Sequence, residues 1–251
     1  MKKCWAASLG NCSDRMSGEH LVTAGIFSTE TVMVQGFPWC MNSPKEIGLN
    51  SLVRNVLCTD HNSRLSPIDE AAISLSDALK ECVRLRDVRG PFPSKRWTRI
   101  NFDIDGRKLE RWCLKTLITL SIGGPMPLGP KSIDSSAPHE DLVALCYDQL
   151  KFDPPIGLYT MYAPGDNITV EDRVMIVPTD RDHKYLTGAR FSLGGYHLFL
   201  YIDEIPFQPG PIIFTHKDGT IERKPAPLYR TKALNFQVGS HISHSMRFMW
   251  N

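Results

Sequence analysis

The feature that most constrains this chain is a set of four metal-ligating side chains confined to its first 61 residues. They are Cys4, Cys12, Cys58 and His61. The last two are separated by two residues, a spacing that suits two ligands on a tight turn entering a helix. Three thiolates and one imidazole form a soft tetrahedral set of the kind that holds structural zinc. We therefore predict one zinc ion bound by these four side chains.

Two alternatives compete with this ligand set. Cys40, in the stretch Phe37-Pro38-Trp39-Cys40, is the rival fourth ligand. We favour a buried thiol beside Trp39 at this position. The other alternative is that the cysteines are scattered free thiols and that His61 caps a helix. Zinc is preferred because the first 65 residues are loop-rich and offer little continuous apolar surface, so that something besides a core must hold them together.

The bulk composition limits the class of protein. The chain has 251 residues, of which 42% are hydrophobic and 22% charged, and this argues for a folded domain and against disorder. The net charge of +2 excludes a strongly basic coat, so any nucleic-acid contact must come from a local patch. No apolar run is long enough to span a bilayer. Seven cysteines without a secretory leader favour a reducing cytoplasm.

Hydrophobic periodicity predicts an α+β protein with two parts, residues 1–88 and residues 91–251. The boundary falls in residues 89–96, a linker rich in proline and basic residues. The second part is expected to be an α/β domain with a mixed, mostly antiparallel C-terminal sheet. We expect this domain to recognise a substrate or a partner.

In the first part we expect short strands over residues 21–27 and 31–36. A helix follows, with Ser66 as N-cap and Pro67 in its first turn, and ends near residue 86.

In the second part, alternating apolar residues predict a strand over residues 100–104, and an apolar stripe predicts a helix over residues 107–122. A shorter helix is expected over residues 139–150. The remaining strands are predicted over residues 157–162, 173–177, 189–193, 196–202, 211–214 and 245–250.

Three further polar residues are arranged around the four ligands. Glu19 and His20 lie between the two ligand pairs, and Asn62 directly follows His61. Together with the ligand pairs, the stretches 12–20 and 57–66 resemble the HNH (ββα-metal) family of nucleases, in the variants whose zinc knuckle brackets the catalytic hairpin. The resemblance covers about residues 4–69. It implies a zinc-stabilised ββα-metal module over residues 1–88.

The same resemblance implies an endonuclease that hydrolyses phosphodiester bonds of nucleic acid, with DNA as the expected substrate. His20 matches the general base, which takes a proton from the attacking water. Glu19 and Asn62 match ligands of a catalytic Mg²⁺ or Mn²⁺, with Asp69 as a tentative third. The family usually has histidine where this chain has Asn62. An amide oxygen binds Mg²⁺ more weakly than a carboxylate does.

The middle asparagine of the family orients the base. Asn55 is its best match, with Asn50 behind it, so the chain has the pattern His-Asn-Asn instead of His-Asn-His.

A basic patch near the boundary is a candidate for gripping phosphates. Its residues are Arg89, Lys95, Arg96, Lys108, Arg111 and Lys115. The alternative is a solvated surface balanced by neighbouring acidic residues. A different function also fits: a non-catalytic zinc-binding module that binds nucleic acid or a protein. The C-terminal domain is then the surface for a protein partner or a second copy of the chain.

Overall fold

The computed structural model describes residues 4–162, 174–203, 213–215, 221–223, 225–230 and 233–250. In this part of the chain the fold is α+β with mostly antiparallel sheets, as the sequence predicts. The helices are α1 (Thr59–Ser63), α2 (Ser66–Arg89), α3 (Gly106–Ser121) and α4 (Glu140–Cys146). The strands are β1 (Met16–His20), β2 (Thr31–Val34), β3 (Lys45–Gly48), β4 (Val53–Cys58), β5 (Ile100–Asp105), β6 (Gly157–Thr160), β7 (Val174–Arg181), β8 (Tyr185–Leu193), β9 (Tyr196–Tyr201), β10 (Ile213–Thr215), β11 (Ile221–Arg223), β12 (Ala226–Pro227), β13 (Ala233–Val238) and β14 (His241–Met249).

The described strands form five sheets. In the N-terminal region β1 pairs antiparallel with β4, and β2 with β3. A five-stranded antiparallel sheet has the order β12-β6-β9-β8-β7. A three-stranded sheet has the order β13-β14-β5, in which β14 and β5 are parallel and all other neighbours antiparallel. Strands β10 and β11 form a separate pair.

The long helices follow from their sequences. Helix α3 starts after Asp105, whose carboxylate accepts a hydrogen bond from the backbone N–H of Lys108 at 2.9 Å and so caps the helix. Its predicted apolar stripe, including Leu109, Trp112 and Leu117, is buried. No helix in the described ranges is both long enough and apolar enough to cross a membrane.

The start of α2 differs from the expectation. Leu65, not Ser66, is the N-cap residue, and no side chain caps the helix. The reason is that α1 runs directly into the turn before α2, so the chain is already helical at Leu65. The helix also continues to Arg89, because the Arg89 guanidinium is held by the carbonyl and the hydroxyl of Ser243, at 2.8 and 3.0 Å.

The predicted strand over residues 21–27 is wrong. The strand lies earlier, at Met16–His20, and the chain then turns through a 3₁₀ helix at Ala24–Ile26. Ile26 is buried against α2 and its carbonyl accepts a hydrogen bond from Lys80. The conformation of residues 21–27 is therefore determined by packing against α2 and not by pairing with another strand.

One hydrophobic core runs through the molecule. It joins N-terminal residues such as Trp5 and Leu57 to Leu75 of α2, Leu114 of α3 and Phe248 of β14. This core therefore includes residues from both sides of the boundary expected near residue 90. The first 65 residues are also better packed than expected, since several of them enter this core. A small second cluster comprises Leu21, Val34, Cys40 and Leu52.

Candidate metal centre and adjacent polar cluster

The four predicted zinc ligands come together in space. Cys4 precedes a short 3₁₀ helix, Cys12 follows a reversal at Gly10 and Asn11 (φ 73° and 52°), Cys58 ends β4, and His61 lies on α1. Their ligand atoms all lie within 4.8 Å of one another. Cys4, Cys58 and His61 are buried, and Cys12 is exposed. The cluster can hold a metal ion such as zinc.

The distances within the cluster match a coordination tetrahedron. Nδ1 of His61 lies 3.4 Å from Sγ of Cys4, 3.6 Å from Sγ of Cys12 and 3.2 Å from Sγ of Cys58. With Zn–S bonds of about 2.3 Å and Zn–N bonds of about 2.0–2.1 Å, the S to N edge of a tetrahedron is roughly 3.5 Å. The donor set and its spacing therefore fit zinc.

Cys40 is not part of this cluster. Its side chain is buried in the small apolar cluster with Leu21, Val34 and Leu52. The buried-thiol interpretation is the one that this environment supports.

Burial and local hydrogen bonds shift the pKa values of the ligands in different directions. Burial raises the pKa of the Cys4 thiol to about 11. Burial also acts to raise the pKa of Cys58, but hydrogen bonds from the backbone of His61 and from Ser13 outweigh it and lower the value to about 7. Burial, assisted by the charge of Arg64, lowers the pKa of His61. A thiolate at Cys58 and a neutral imidazole at His61 are the forms that bind metal.

Aromatic residues from distant parts of the chain surround His61. The hydroxyl of Tyr147, just after α4, donates a hydrogen bond of 2.9 Å to the His61 carbonyl. The Tyr147 ring packs edge-on against both His61 and Trp5. The guanidinium of Arg64 lies over the Tyr147 ring, 5.1 Å from its centre. These contacts fix α1 and enclose the ligand cluster.

A second polar cluster lies beside the metal centre. Glu19 of β1 is 4% exposed, and its carboxylate forms an ion pair with the ammonium of Lys115 from α3. The same ammonium lies 2.7 and 2.8 Å from the two carboxylate oxygens of Asp69 on α2. Lys115 itself is 3% exposed. One buried cation therefore links three elements through two carboxylates.

The pKa values of Glu19 and Lys115 are each shifted by the charges of the other residues in this cluster. Burial raises the pKa of Glu19, and the charge of Lys115 opposes this shift only in part. Burial acts to lower the pKa of Lys115, but the charges of Glu19 and Asp69 outweigh it and the pKa is raised. Thr23 extends the cluster: it donates to Asp69 at 2.5 Å and accepts from the Trp112 indole at 2.8 Å.

The predicted catalytic residues take the following places. Asn62 on α1 donates to the hydroxyl of Ser17 at 2.9 Å, and a hydrogen bond from its amide opposes, in small part, the burial that raises the pKa of Glu19. His20 ends β1, and its Nε2 atom is buried without a hydrogen-bond partner in the described ranges. Asn55 is exposed on β4, opposite the bulge at Gly18. Because α1 and α2 are separate helices, Asn62 and Asp69 do not share one helix face.

The predicted basic patch is divided. Lys115 and Arg89 are both buried and bound to other groups, so neither is available to a phosphate. Arg111 pairs with Asp148 at 3.2 Å, and Lys108 with Asp105 at 3.3 Å.

Lys95 and Arg96 are exposed, and the Lys95 ammonium lies 4.1 Å from the ring centre of Trp97. These two remain candidates for a contact with phosphates.

Comparison of the chain with protein families, with curated proteins and with solved structures finds no match. The likeness to HNH nucleases therefore rests on the residues around the metal centre alone.

Proposed function

We propose that this chain is a metal-dependent endonuclease that hydrolyses phosphodiester bonds of nucleic acid, with DNA as the expected substrate. One observation carries the proposal: Glu19, His20 and Asn62 lie on the β1–β4 pair and the helix α1 that the Cys3His cluster ties together. A base and two oxygen ligands on one small scaffold are what the reaction needs.

Zinc is proposed at Cys4, Cys12, Cys58 and His61, where its role is structural. Bound there, zinc would join residues before β1 to the β4–α1 junction and so hold the β1–β4 pair against α1. Four protein ligands close the coordination shell, which is typical of structural zinc sites.

A catalytic Mg²⁺ or Mn²⁺ is proposed at Glu19 and Asn62. These two residues would hold the ion, and the chemistry that a divalent cation would supply there is stabilisation of negative charge on the leaving oxygen. The carboxylate of Glu19 and the amide oxygen of Asn62 are the hard ligands that such ions prefer. The ammonium of Lys115 supplies positive charge to Glu19, and its second partner, Asp69, would keep it in place if Glu19 bound an ion.

His20 is proposed as the general base. Its Nε2 atom is buried and lacks a partner in the described part of the chain, and such atoms are normally satisfied by water or a ligand. A neutral imidazole there accepts the proton of a water molecule, and the resulting hydroxide attacks phosphorus.

A second candidate function is a non-catalytic zinc module that binds nucleic acid or a protein. The observation that favours it is the ion pair of Lys115 with Glu19 and Asp69, because one ammonium already serves both carboxylates as a counter-ion without a metal ion.

Plasmid nicking distinguishes the two functions. The zinc-loaded chain is incubated with supercoiled DNA and Mg²⁺ or Mn²⁺, beside His20→Ala and the matched control His183→Ala, whose side chain is 91% exposed. The endonuclease proposal predicts nicking that is lost in His20→Ala, by about 100-fold or more, and retained in the control. Binding without nicking supports the zinc module. Nicking that His20→Ala leaves intact overturns the assignment of the base.

A further inference from the structure

A cavity of about 340 Å³ lies apart from the metal centre, between α3 and the C-terminal sheets. It is within the range of ~300–1,000 Å³ typical of small-molecule sites. It shares no lining residue with the zinc ligands or with the cluster around Lys115. Its walls combine one buried carboxyl group, several basic side chains and several aromatic rings.

The carboxyl group belongs to Glu110 of α3, which is 8% exposed. Its Oε1 atom accepts a hydrogen bond of 2.8 Å from the backbone N–H of Leu158. A Cβ atom at Gly157 would lie 2.7 Å from this oxygen, and the φ of Gly157 is +140°. The first residue of β6 is therefore a glycine whose bare backbone makes room for the carboxyl group.

The basic side chains are Arg107, Arg111 and Lys151, and the other acidic side chain is Asp148. Arg111 is paired with Asp148 at 3.2 Å. Arg107 and Lys151 are exposed residues of the cavity wall. An anionic group at the mouth of the cavity would meet these two cations.

The aromatic walls include Phe152, Tyr229 and Trp250. The Trp250 ring lies directly on Gly106, where a Cβ atom would be 2.5 Å from the indole. Tyr229 meets Trp250 edge-on, with ring centres 6.5 Å apart. The indole Nε1 atom is buried and has no hydrogen-bond partner in the described ranges. The cavity thus offers aromatic surfaces beside the Glu110 carboxyl group.

We propose that this cavity binds one nucleotide unit, with the base against Trp250 and Phe152, its amino or imino edge on Glu110, and its phosphate at Arg107 and Lys151. Aromatic faces stack on any base, and a carboxylate accepts the N–H groups of a base edge. This site goes beyond the proposed nuclease centre and does not depend on it.

The nucleotide unit has two sources, a free mononucleotide and a nucleotide of a single strand. Isothermal calorimetry with the full-length, zinc-loaded His20→Ala chain distinguishes them, because a strand is not expected to be cut during the titration. The probes are the four nucleoside monophosphates and a short single-stranded oligonucleotide of mixed sequence. The variants are Glu110→Gln and Arg107→Ala, and Lys184→Ala is the control, because Lys184 is exposed and lies outside the cavity.

We expect binding with a Kd below about 1 mM, weakened about tenfold or more by each cavity variant and unchanged by the control. Binding of monophosphates with this pattern indicates a free nucleotide. The same pattern with the oligonucleotide alone indicates a strand. Absence of binding to both kinds of probe, or binding that neither cavity variant weakens, overturns the proposal. Since the readout is binding, a failure of the nuclease proposal leaves this result unaffected.

Discussion

The ammonium of Lys115 lies 2.7 Å from the nearer carboxylate oxygen of Asp69, so α3 supplies a buried positive charge to α2. The same ammonium pairs with Glu19 on β1. This ion cluster therefore joins the β1–β4 pair to both long helices, next to the proposed catalytic residues.

Replacing Lys115 by methionine leaves the buried carboxylate of Glu19 and the partly exposed carboxylate of Asp69 without this counter-ion. We expect the free energy of unfolding to fall by about 3–5 kcal/mol. Added Mn²⁺ should restore part of this loss, because the carboxylates are then free to bind it. Urea unfolding with and without Mn²⁺ measures both effects.

The matched control is Lys131→Met, which removes an exposed pair with Asp141 at 2.6 Å. A surface pair of this kind is worth about 0–1 kcal/mol. Equal effects of the two substitutions would contradict the role given to Lys115.

Removal of zinc should destabilise the N-terminal region. Zinc contributes directly to folding in closed Cys and His sites, so a strong chelator is expected to lower the stability by about 3 kcal/mol or more, which is roughly 10 °C in Tm for a chain of this size. Thermal unfolding followed by circular dichroism measures the shift, and excess zinc should reverse it. A Tm that the chelator does not change would contradict the prediction.

Glu110 should make stability depend on pH. Burial raises the pKa of Glu110 from 4.5 to about 7. Below about pH 4.5 the carboxyl is protonated in both the folded and the unfolded chain, so it has no effect. Between these values the unfolded chain releases the proton first, and stability falls as the pH rises. The loss is complete above about pH 7 and is on the order of 3 kcal/mol.

Glu110→Gln keeps the acceptor for the Leu158 N–H but cannot ionise. We therefore expect it to be more stable than the wild type at pH 8 and similar at pH 4. Urea unfolding at the two pH values measures the difference. A substitution that costs the same stability at both would show that the buried charge is not the cause.

Tyr147 should act on the metal centre through the His61 backbone. Tyr147→Phe retains the ring contacts but removes the hydrogen bond to the His61 carbonyl. We expect zinc to be released several-fold faster, because outer contacts keep ligands in position. Transfer of zinc to a chromogenic chelator measures the rate. Tyr185→Phe, which removes a hydrogen bond to Asp203 instead, should leave the rate unchanged.

The sequence predicts the ligand cluster well because cysteine and histidine can be recognised as metal ligands from residue type alone. Cys58 and His61 have a spacing with a local structural meaning, and few other soft ligands are near them. Lys115 could not be placed in the same way. It shares a helix face with Lys108 and Arg111, which predicts a solvated basic surface, and its partner Glu19 is remote in sequence. Only tertiary packing shows that this face is buried.

The helices and strands also divide into those that local sequence patterns predict and those that depend on tertiary packing. The helix α3 and the sheet strands β8 and β9 follow from strong local periodicity. Strand β13 is not among the predicted strands, although its alternating apolar residues Leu234, Phe236 and Val238 are a pattern that indicates a strand. All three side chains are buried. The strand expected over residues 21–27 failed because Ile26 packs on α2. Asp218-Gly219, a pair that predicts a hairpin turn, lies outside the described residues.

The most direct test of the zinc-held scaffold is the zinc content of the purified full-length chain, measured by elemental analysis beside Cys58→Ser and Cys40→Ser. We predict one zinc ion per chain in the wild type and in Cys40→Ser, and little or none in Cys58→Ser. A folded wild type without zinc, or a zinc content that falls with Cys40→Ser and not with Cys58→Ser, would contradict the account.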